Sequence, residues 1–428
     1  MYLRPLMAAA LAVVLTTGTS MAQNRVDGSR PDAPELAAPG PYTIGVRTLT
    51  LTDPDRPDVL ASTEALVRGP RTLAAEFWYP AADGTQPGGS YDTVLRDGVT
   101  PVTLYGQAAR DAQPSTDGPF PLVVISHGYP GNRLLLAHLG EHLASNGYAV
   151  LSLDHTDSTY SDQAAFGSTL YNRPLDQKFA IDAMAADESL SGLVNTDAVG
   201  VIGYSMGGYG AVVLSGAGLV PQIVDSPFAP PQRLLAELVA GSETHEALPD
   251  PRVRAIVAIG PWGMNYGLWD AAGLAGIRVP TLYVAGSMDT VSGYSSIRSI
   301  FEGAVNVDRQ LLTFENAGHN AAAPIPAPVE SYAVSEALGW APFEHYADPV
   351  WDTVRMNEIA QHFVLAFLDQ RVRGMEDRDV YLDLIENAND GVWSLDDDGE
   401  PTAEHTYWAG FREGQAVGLR LETRRAGE

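Results

Sequence analysis

The sequence predicts an α/β fold: a mostly parallel central sheet with antiparallel N-terminal strands, helices on both faces, and inserted loops forming a cap or pocket wall. Three observations predict it. From Pro121 onward short apolar runs alternate with helical patterns, the signature of strand–helix–strand units. The runs are continuous rather than period-two, as strands covered on both faces require. And Gly203-Tyr204-Ser205-Met206-Gly207 stands between the apolar run Ala198-Val199-Gly200-Val201-Ile202 and the small-residue helix start Gly208-Tyr209-Gly210-Ala211-Val212-Val213. A G-x-S-x-G turn in that setting holds a serine hydroxyl up at the end of the sheet.

In chain order, Arg4, the apolar stretch Leu6 to Leu15 and the small-x-small site Ser20-Met21-Ala22 read as a signal peptide over residues 1–22, cleaved after Ala22. The expectation is export to the periplasm or the medium. Residues 23–39, rich in Asp, Pro, Ala and Arg, read as a disordered lead-in. Residues 40–428 are expected to form one domain. Ile44, Val46, Leu49 and Leu51 with polar residues between them predict a strand, and Leu73 to Tyr79 a second, pairing antiparallel. Then come the strand Leu122–Ser126, the helix Leu134–Asn146, the strand Tyr148–Leu153, the helix Pro174–Ala186 and the strand before Ser205. Arg254–Ile259, Thr281–Ala285 and Gln310–Phe314 are further strands. Insertions at about 156–172, 217–250 and 321–350 leave the carboxyl ends of strands, where open α/β sheets bind ligands.

The formal net charge is −27, and loss of Arg4 with the signal makes it −28; Lys178 is the single lysine. Such a surface repels nucleic acid and anionic membranes as partners. No later segment reaches the length of apolar sequence needed for membrane insertion. Without cysteine the chain has no disulfides, no thiolate metal site and no cysteine nucleophile. The acidic run Asp396-Asp397-Asp398-Gly399-Glu400 lacks the spacing of a calcium loop and reads as a solvated turn.

A serine hydroxyl needs an adjacent base to act as a nucleophile near neutral pH. His319, in Asn316-Ala317-Gly318-His319-Asn320, follows a late strand, as the order serine, acid, histidine demands. His345, His362 and His405 read as surface or packing residues. The acid that orients His319 is expected at Asp289, just past the strand Thr281–Ala285; Asp225, Asp270 and Glu315 are the competing carboxylates. Two backbone N–H groups are expected to receive the oxyanion. One is Met206, which opens the helix; the other is Tyr129, in His127-Gly128-Tyr129-Pro130-Gly131. His127 itself is expected to brace that turn. Tyr204, Trp262 and, in the third insertion, Trp340 are candidate pocket residues. This chemistry calls for no metal and no cofactor.

Gly40-Pro41-Tyr42, Phe77-Trp78-Tyr79-Pro80, Ser126-His127-Gly128, Asp154-His155-Thr156-Asp157-Ser158 and Arg173-Pro174 together give the chain, from about Gly40 to its end, a resemblance to the α/β-hydrolases of the platelet-activating-factor acetylhydrolase and predicted dienelactone hydrolase group. The resemblance implies an α/β-hydrolase fold and serine esterase activity on short or oxidised acyl esters. Tyr129 and Ser205-Met206-Gly207-Gly208 also resemble bacterial cutinases and polyester hydrolases. The chain departs from the acetylhydrolases after Ile259, where Gly260-Pro261-Trp262 holds no carboxylate, and at Tyr204, where they carry histidine. The expectation is therefore a serine carboxylic-ester hydrolase forming an acyl-enzyme on small or polymeric esters. Short-chain acyl esters come first, with cutin or polyester, a platelet-activating-factor-type phospholipid, peroxide-dependent perhydrolysis or a non-catalytic binding role as alternatives.

Overall fold

The alternation that begins at Pro121 builds the parallel part of one ten-stranded sheet. The computed structural model describes residues 24–428; the expected signal peptide and its cleavage after Ala22 lie outside the described residues. The strands are β1 (Ile44–Pro57), β2 (Arg68–Pro80), β3 (Gly89–Val94), β4 (Pro101–Gly106), β5 (Ala109–Arg110), β6 (Phe120–Ser126), β7 (Ala149–Asp154), β8 (Val194–Tyr204), β9 (Val253–Ile259), β10 (Thr281–Gly286), β11 (Arg309–Phe314) and β12 (Leu419–Arg424). Their order across the large sheet is β12-β11-β10-β9-β8-β6-β7-β2-β1-β5, while β3 and β4 form a separate hairpin. The span from β7 to β11 is parallel. β1 and β2 pair antiparallel at one side, and β12 adds antiparallel to β11 at the other.

Among the described residues the α-helices are α1 (Ala137–Ser145), α2 (Phe166–Ala186), α3 (Met206–Leu214), α4 (Glu243–Ala247), α5 (Ala271–Leu274), α6 (Tyr294–Gly303) and α7 (Thr353–Arg373). Side chains alternate across a strand, so β6 feeds two cores at once. Val123 and Ile125 join Leu139 and Leu143 of α1 and Phe363 and Phe367 of α7. Leu122 and Val124 join Ile181 of α2, Val212 of α3 and Phe301 of α6. All of these side chains are buried, which is why the β6 run is continuously apolar.

Two expectations are corrected. Residues 24–39 are no disordered lead-in. Val26 is buried and its amide bonds the Tyr105 carbonyl, the Arg30 amide bonds Glu358, and the Leu36 amide bonds His362 Nδ1. Polar composition predicts disorder only where polar groups lack partners, and here the partners come from distant parts of the chain. Nor is 156–172 wholly an inserted loop, because α2 begins at Phe166 and runs through Pro174. Proline removes the N–H that the Leu170 carbonyl would accept. The Tyr209 hydroxyl of α3 donates to that carbonyl instead, at 2.9 Å, and the helix continues. The stretches 217–250 and 321–350 are irregular, with short 3-10 turns such as Pro221–Asp225 and Val329–Tyr332, plus α4 in the first.

Candidate active site

Ser205 is the single residue between β8 and α3. Its φ of 54° and ψ of −111° are a conformation that a side chain adopts only under constraint from its neighbours. The constraint is visible in its backbone. The Ser205 N–H bonds the Ile259 carbonyl at 2.8 Å, and its carbonyl accepts from Tyr209 and Trp262 at 2.9 and 3.2 Å. The flanking glycines are needed for space, since a Cβ on Gly203 would strike the Gly207 carbonyl and one on Gly207 the Ser126 carbonyl. Strand, strained residue and helix together lift the hydroxyl to the carboxyl end of the sheet.

His319 reaches that hydroxyl from the loop after β11. Its Nε2 lies 3.0 Å from Ser205 Oγ, and its Nδ1 lies 2.8 Å from Asp289 Oδ2. Asp289, in the loop after β10, is held on its other oxygen by the Val291 and Ser292 amides at 2.8 and 2.9 Å. Burial pushes the Asp289 carboxyl up, but the hydrogen bond from His319 and the two amides outweigh it, leaving the carboxyl below its ordinary value. The competing acids are engaged elsewhere: Asp225 with Arg233, Asp270 with the Gly273 amide of α5, and Glu315 with Arg420.

The turn after β6 passes directly beside the serine; a Cβ on Gly128 would lie 3.3 Å from the Ser205 Cβ. The imidazole of His127 braces it. The His155 amide donates to His127 Nε2 at 3.2 Å, so Nδ1 carries the proton and donates to the Gly128 carbonyl at 2.7 Å. The buried guanidinium of Arg173, from α2, donates to the carbonyls of His127 and Gly128 and to Ser158 Oγ. A trans peptide points its C=O and N–H in opposite directions. Pinning the Gly128 carbonyl toward Arg173 therefore turns the Tyr129 N–H away from that guanidinium. The Met206 N–H is among the first four of α3, which a helix leaves without internal acceptors and which carry its positive end.

The pocket candidates fare differently. Tyr204 is buried, not lining: its ring packs 5.2 Å from that of His319 and its hydroxyl donates to Asn320 Oδ1 at 3.1 Å. Trp340 stands off in the third insertion with the Arg96 guanidinium 5.9 Å over its ring. Trp262 does belong to an aromatic group beside Ser205. Phe166 lies 5.1 Å from Tyr129 and 5.3 Å from Trp262, and Trp262 lies 4.8 Å from Tyr266. Phe228 touches both Phe166 and Tyr266, at 5.7 and 5.3 Å. Tyr266 is 54% exposed and Phe228 36%, so the group ends as an open apolar strip. Arg173, Phe166, Phe228 and Tyr266 are functional candidates that the sequence did not single out as such. Arg173-Pro174 was a visible signal; Phe166 and Phe228 sat in stretches with no pattern.

A second Ser–His–Asp array lies beneath the turn. Ser126 Oγ is 2.8 Å from His155 Nε2, and His155 Nδ1 is 3.0 Å from Asp176 Oδ2. All three residues are buried, and Asp176 also pairs with Arg71 at 2.8 Å and Arg56 at 3.3 Å. Burial, then the Arg173 charge, pushes His155 down to about 3. The Asp396–Glu400 run is an exposed turn whose Asp396 carboxylate accepts the Asp398 and Glu400 amides. Among the described residues no group of three or more His, Asp or Glu could hold a metal ion, and no helix is long and apolar enough to cross a membrane.

The chain is similar to known proteins over part of its length. A family model described as PET hydrolase-like matches residues 63–230, a span that holds Tyr129 and Ser205 and stops short of Asp289 and His319. Cutinase est1 of Thermobifida alba is 26% identical over 225 residues, 52% of this chain and 59% of that protein. A bis(hydroxyethyl) terephthalate hydrolase of Streptomyces coelicolor is 24% identical over 223 residues, 52% of this chain and 57% of that protein. The chain thus spans under three fifths of the length of these curated relatives. A ferulic acid esterase from Streptomyces cinnamoneus superposes with a TM-score of 0.55 at 23% identity, covering 80% of this chain and 94% of that one. The fold is that of the α/β-hydrolases.

Proposed function

We propose that this α/β-hydrolase is a serine carboxylic-ester hydrolase working through an acyl-enzyme. The observation that carries the reading is His319 bridging the strained Ser205 hydroxyl and the buried Asp289 carboxylate at 3.0 and 2.8 Å. Ser205 Oγ attacks the ester carbonyl while His319 Nε2 takes its proton, and Asp289 fixes the imidazole and stabilises its charged form. The carbonyl oxygen becomes an oxyanion received by the Tyr129 and Met206 N–H groups. As the tetrahedral centre collapses, His319 returns the proton to the departing alkoxide and the acyl group stays on Ser205. Water, deprotonated by the same imidazole, then releases the acid. Cutinases among the relatives support the ester bond as the target.

Short-chain acyl esters are the first substrate reading, with the Trp262 and Phe166 rings, stacked edge to face at 5.3 Å, as the wall that would limit the acyl group. The open strip ending in Phe228 and Tyr266 favours a second, a cutin or polyester chain lying along the surface. Export rests on the composition of residues 1–22. The deciding experiment is hydrolysis of p-nitrophenyl esters from acetate to palmitate beside release of soluble acid from a polyester film, with Ser205→Ala as control. Serine-dependent cleavage peaking at short chains supports the first reading and film depolymerisation the second. Activity that survives in the Ser205→Ala protein, or no activity on any ester, would sink both.

A further inference from the structure

In a chain where Asp and Glu outnumber Lys and Arg by 53 to 26, an arginine without an acid partner is conspicuous. Arg96, in the turn between β3 and β4, is one. It is half-buried, and the groups that act on it are burial and the phenols of Tyr160, Tyr346 and Tyr129, with no carboxylate among them. The acids beside it are committed. Asp97 accepts from the Val99 and Thr100 amides, the Thr100 hydroxyl and the Ser335 hydroxyl. Asp162, which also faces the Tyr129 phenol, accepts from the Asp157 amide. The Trp340 ring lies under the guanidinium at 5.9 Å.

The turn is tied by hydrogen bonds to the loops of the reaction centre. The Arg96 amide donates to the Tyr346 hydroxyl at 3.1 Å. Tyr346 lies between the Glu344 and Ala347 carbonyls, both held by Asn320, the neighbour of His319. On the other side Tyr160 bonds His345 at 2.8 Å through its hydroxyl and the Gly131 carbonyl at 3.0 Å through its amide, two residues past Tyr129. The turn that carries Arg96 therefore sits between the loop of the base and the loop of the oxyanion donors. A partly dehydrated guanidinium without a counter-charge is costly, and a planar carboxylate is the group that best satisfies its fork of donors.

We infer that Arg96 reads the substrate: it receives a carboxylate at the end of the ester remote from the scissile bond, so that half-esters of dicarboxylic acids are favoured over neutral esters of the same size. This rests on the ester-hydrolase reading above. The net negative charge of the chain works against anionic ligands at long range, so a local cation is what such a preference needs.

The test pairs ethyl 4-carboxybenzoate with ethyl benzoate, and monoethyl adipate with ethyl hexanoate, in the full protein, its Arg96→Gln and its Arg96→Lys variants. Expected is a tenfold or larger fall in kcat/KM for the two carboxylates in Arg96→Gln, carried by KM, with the neutral esters within twofold and Arg96→Lys in between. An unchanged ratio of charged to neutral ester, or an equal fall for both, overturns the inference while leaving the hydrolase intact. Wild-type protein active on p-nitrophenyl esters but on none of these four also overturns the inference, whereas inactivity on every ester overturns the hydrolase reading itself.

Discussion

Two Ser–His–Asp arrays stand within one molecule and nearly match in hydrogen bonds. Ser205, His319 and Asp289 are joined at 3.0 and 2.8 Å, and Ser126, His155 and Asp176 at 2.8 and 3.0 Å. What separates them is everything around the bonds. Ser205 has a strained backbone ahead of a helix N-terminus, whereas Ser126 is an ordinary strand residue paired with Leu153 and Gly203. Asp289 serves one imidazole and two amides, while Asp176 is shared with two arginines. His155, pushed down to about 3, resists the proton that a general base must accept. The buried array also touches the first one: the His155 amide sets the tautomer of His127, which braces the Gly128 carbonyl. The hydrogen-bond pattern alone thus does not tell the two serines apart; backbone strain and the place before a helix N-terminus do.

The sharpest way to break this comparison is to remove each hydroxyl in turn. Ser205→Ala is expected to lower kcat/KM on a p-nitrophenyl ester by about 10⁴-fold or more with an unchanged melting curve. Ser126→Ala should leave turnover within a few-fold and cost about 1 kcal/mol of stability, read by denaturant unfolding. A large rate loss in Ser126→Ala would show the arrays to be one machine.

Next in size is Asp176→Asn, which takes from the buried Arg71 and Arg56 guanidiniums the acid they share and leaves them only Asp157 and Asp53. A loss of about 3–5 kcal/mol is expected, seen as a lower denaturant midpoint. Folded protein at low temperature should keep the greater part of its turnover. A stable, inactive Asp176→Asn protein would contradict the division into reacting and bracing arrays.

The smallest effect concerns acid. His138, His155 and His362 are held near 3 by burial, against 6.5 when exposed. Between those values the unfolded chain binds the protons, so stability is complete above about pH 6.5 and is lost as pH falls toward 3. The depressed carboxyls of Asp176 and Asp289 act in the same direction at the lower end of that range. The melting temperature is expected to drop by several degrees from pH 7 to pH 5, less in His362→Gln. A flat profile would mean these histidines already carry their protons when folded.

The sheet from Leu122 to Phe314 was legible because strands buried on both faces leave unbroken apolar runs. Ser205, Asp289 and His319 were legible because each follows such a run in the order the chemistry imposes. Three other features were hidden for physical reasons. The partners that order residues 24–39 lie far along the chain, Tyr105 for Val26 and, more than 300 positions away, Glu358 for Arg30. The first turns of α2 carry Ser168, Thr169 and Asn172 ahead of a proline, and only contact with α3 reveals them as helix. Tyr204 looked like a pocket residue by its place beside the nucleophile, but the alternation of the strand end turns its ring inward against His319.

Pro174 and Tyr209 bear on how this chain can change over generations. Proline leaves the Leu170 carbonyl vacant and the tyrosine hydroxyl fills it. Replacing Tyr209 by phenylalanine strands a buried acceptor only while proline is present, and restoring an N–H at position 174 makes the hydroxyl surplus. Each substitution is thus judged by the state of the other, and the pair passes through sequence space together, thirty-five residues apart.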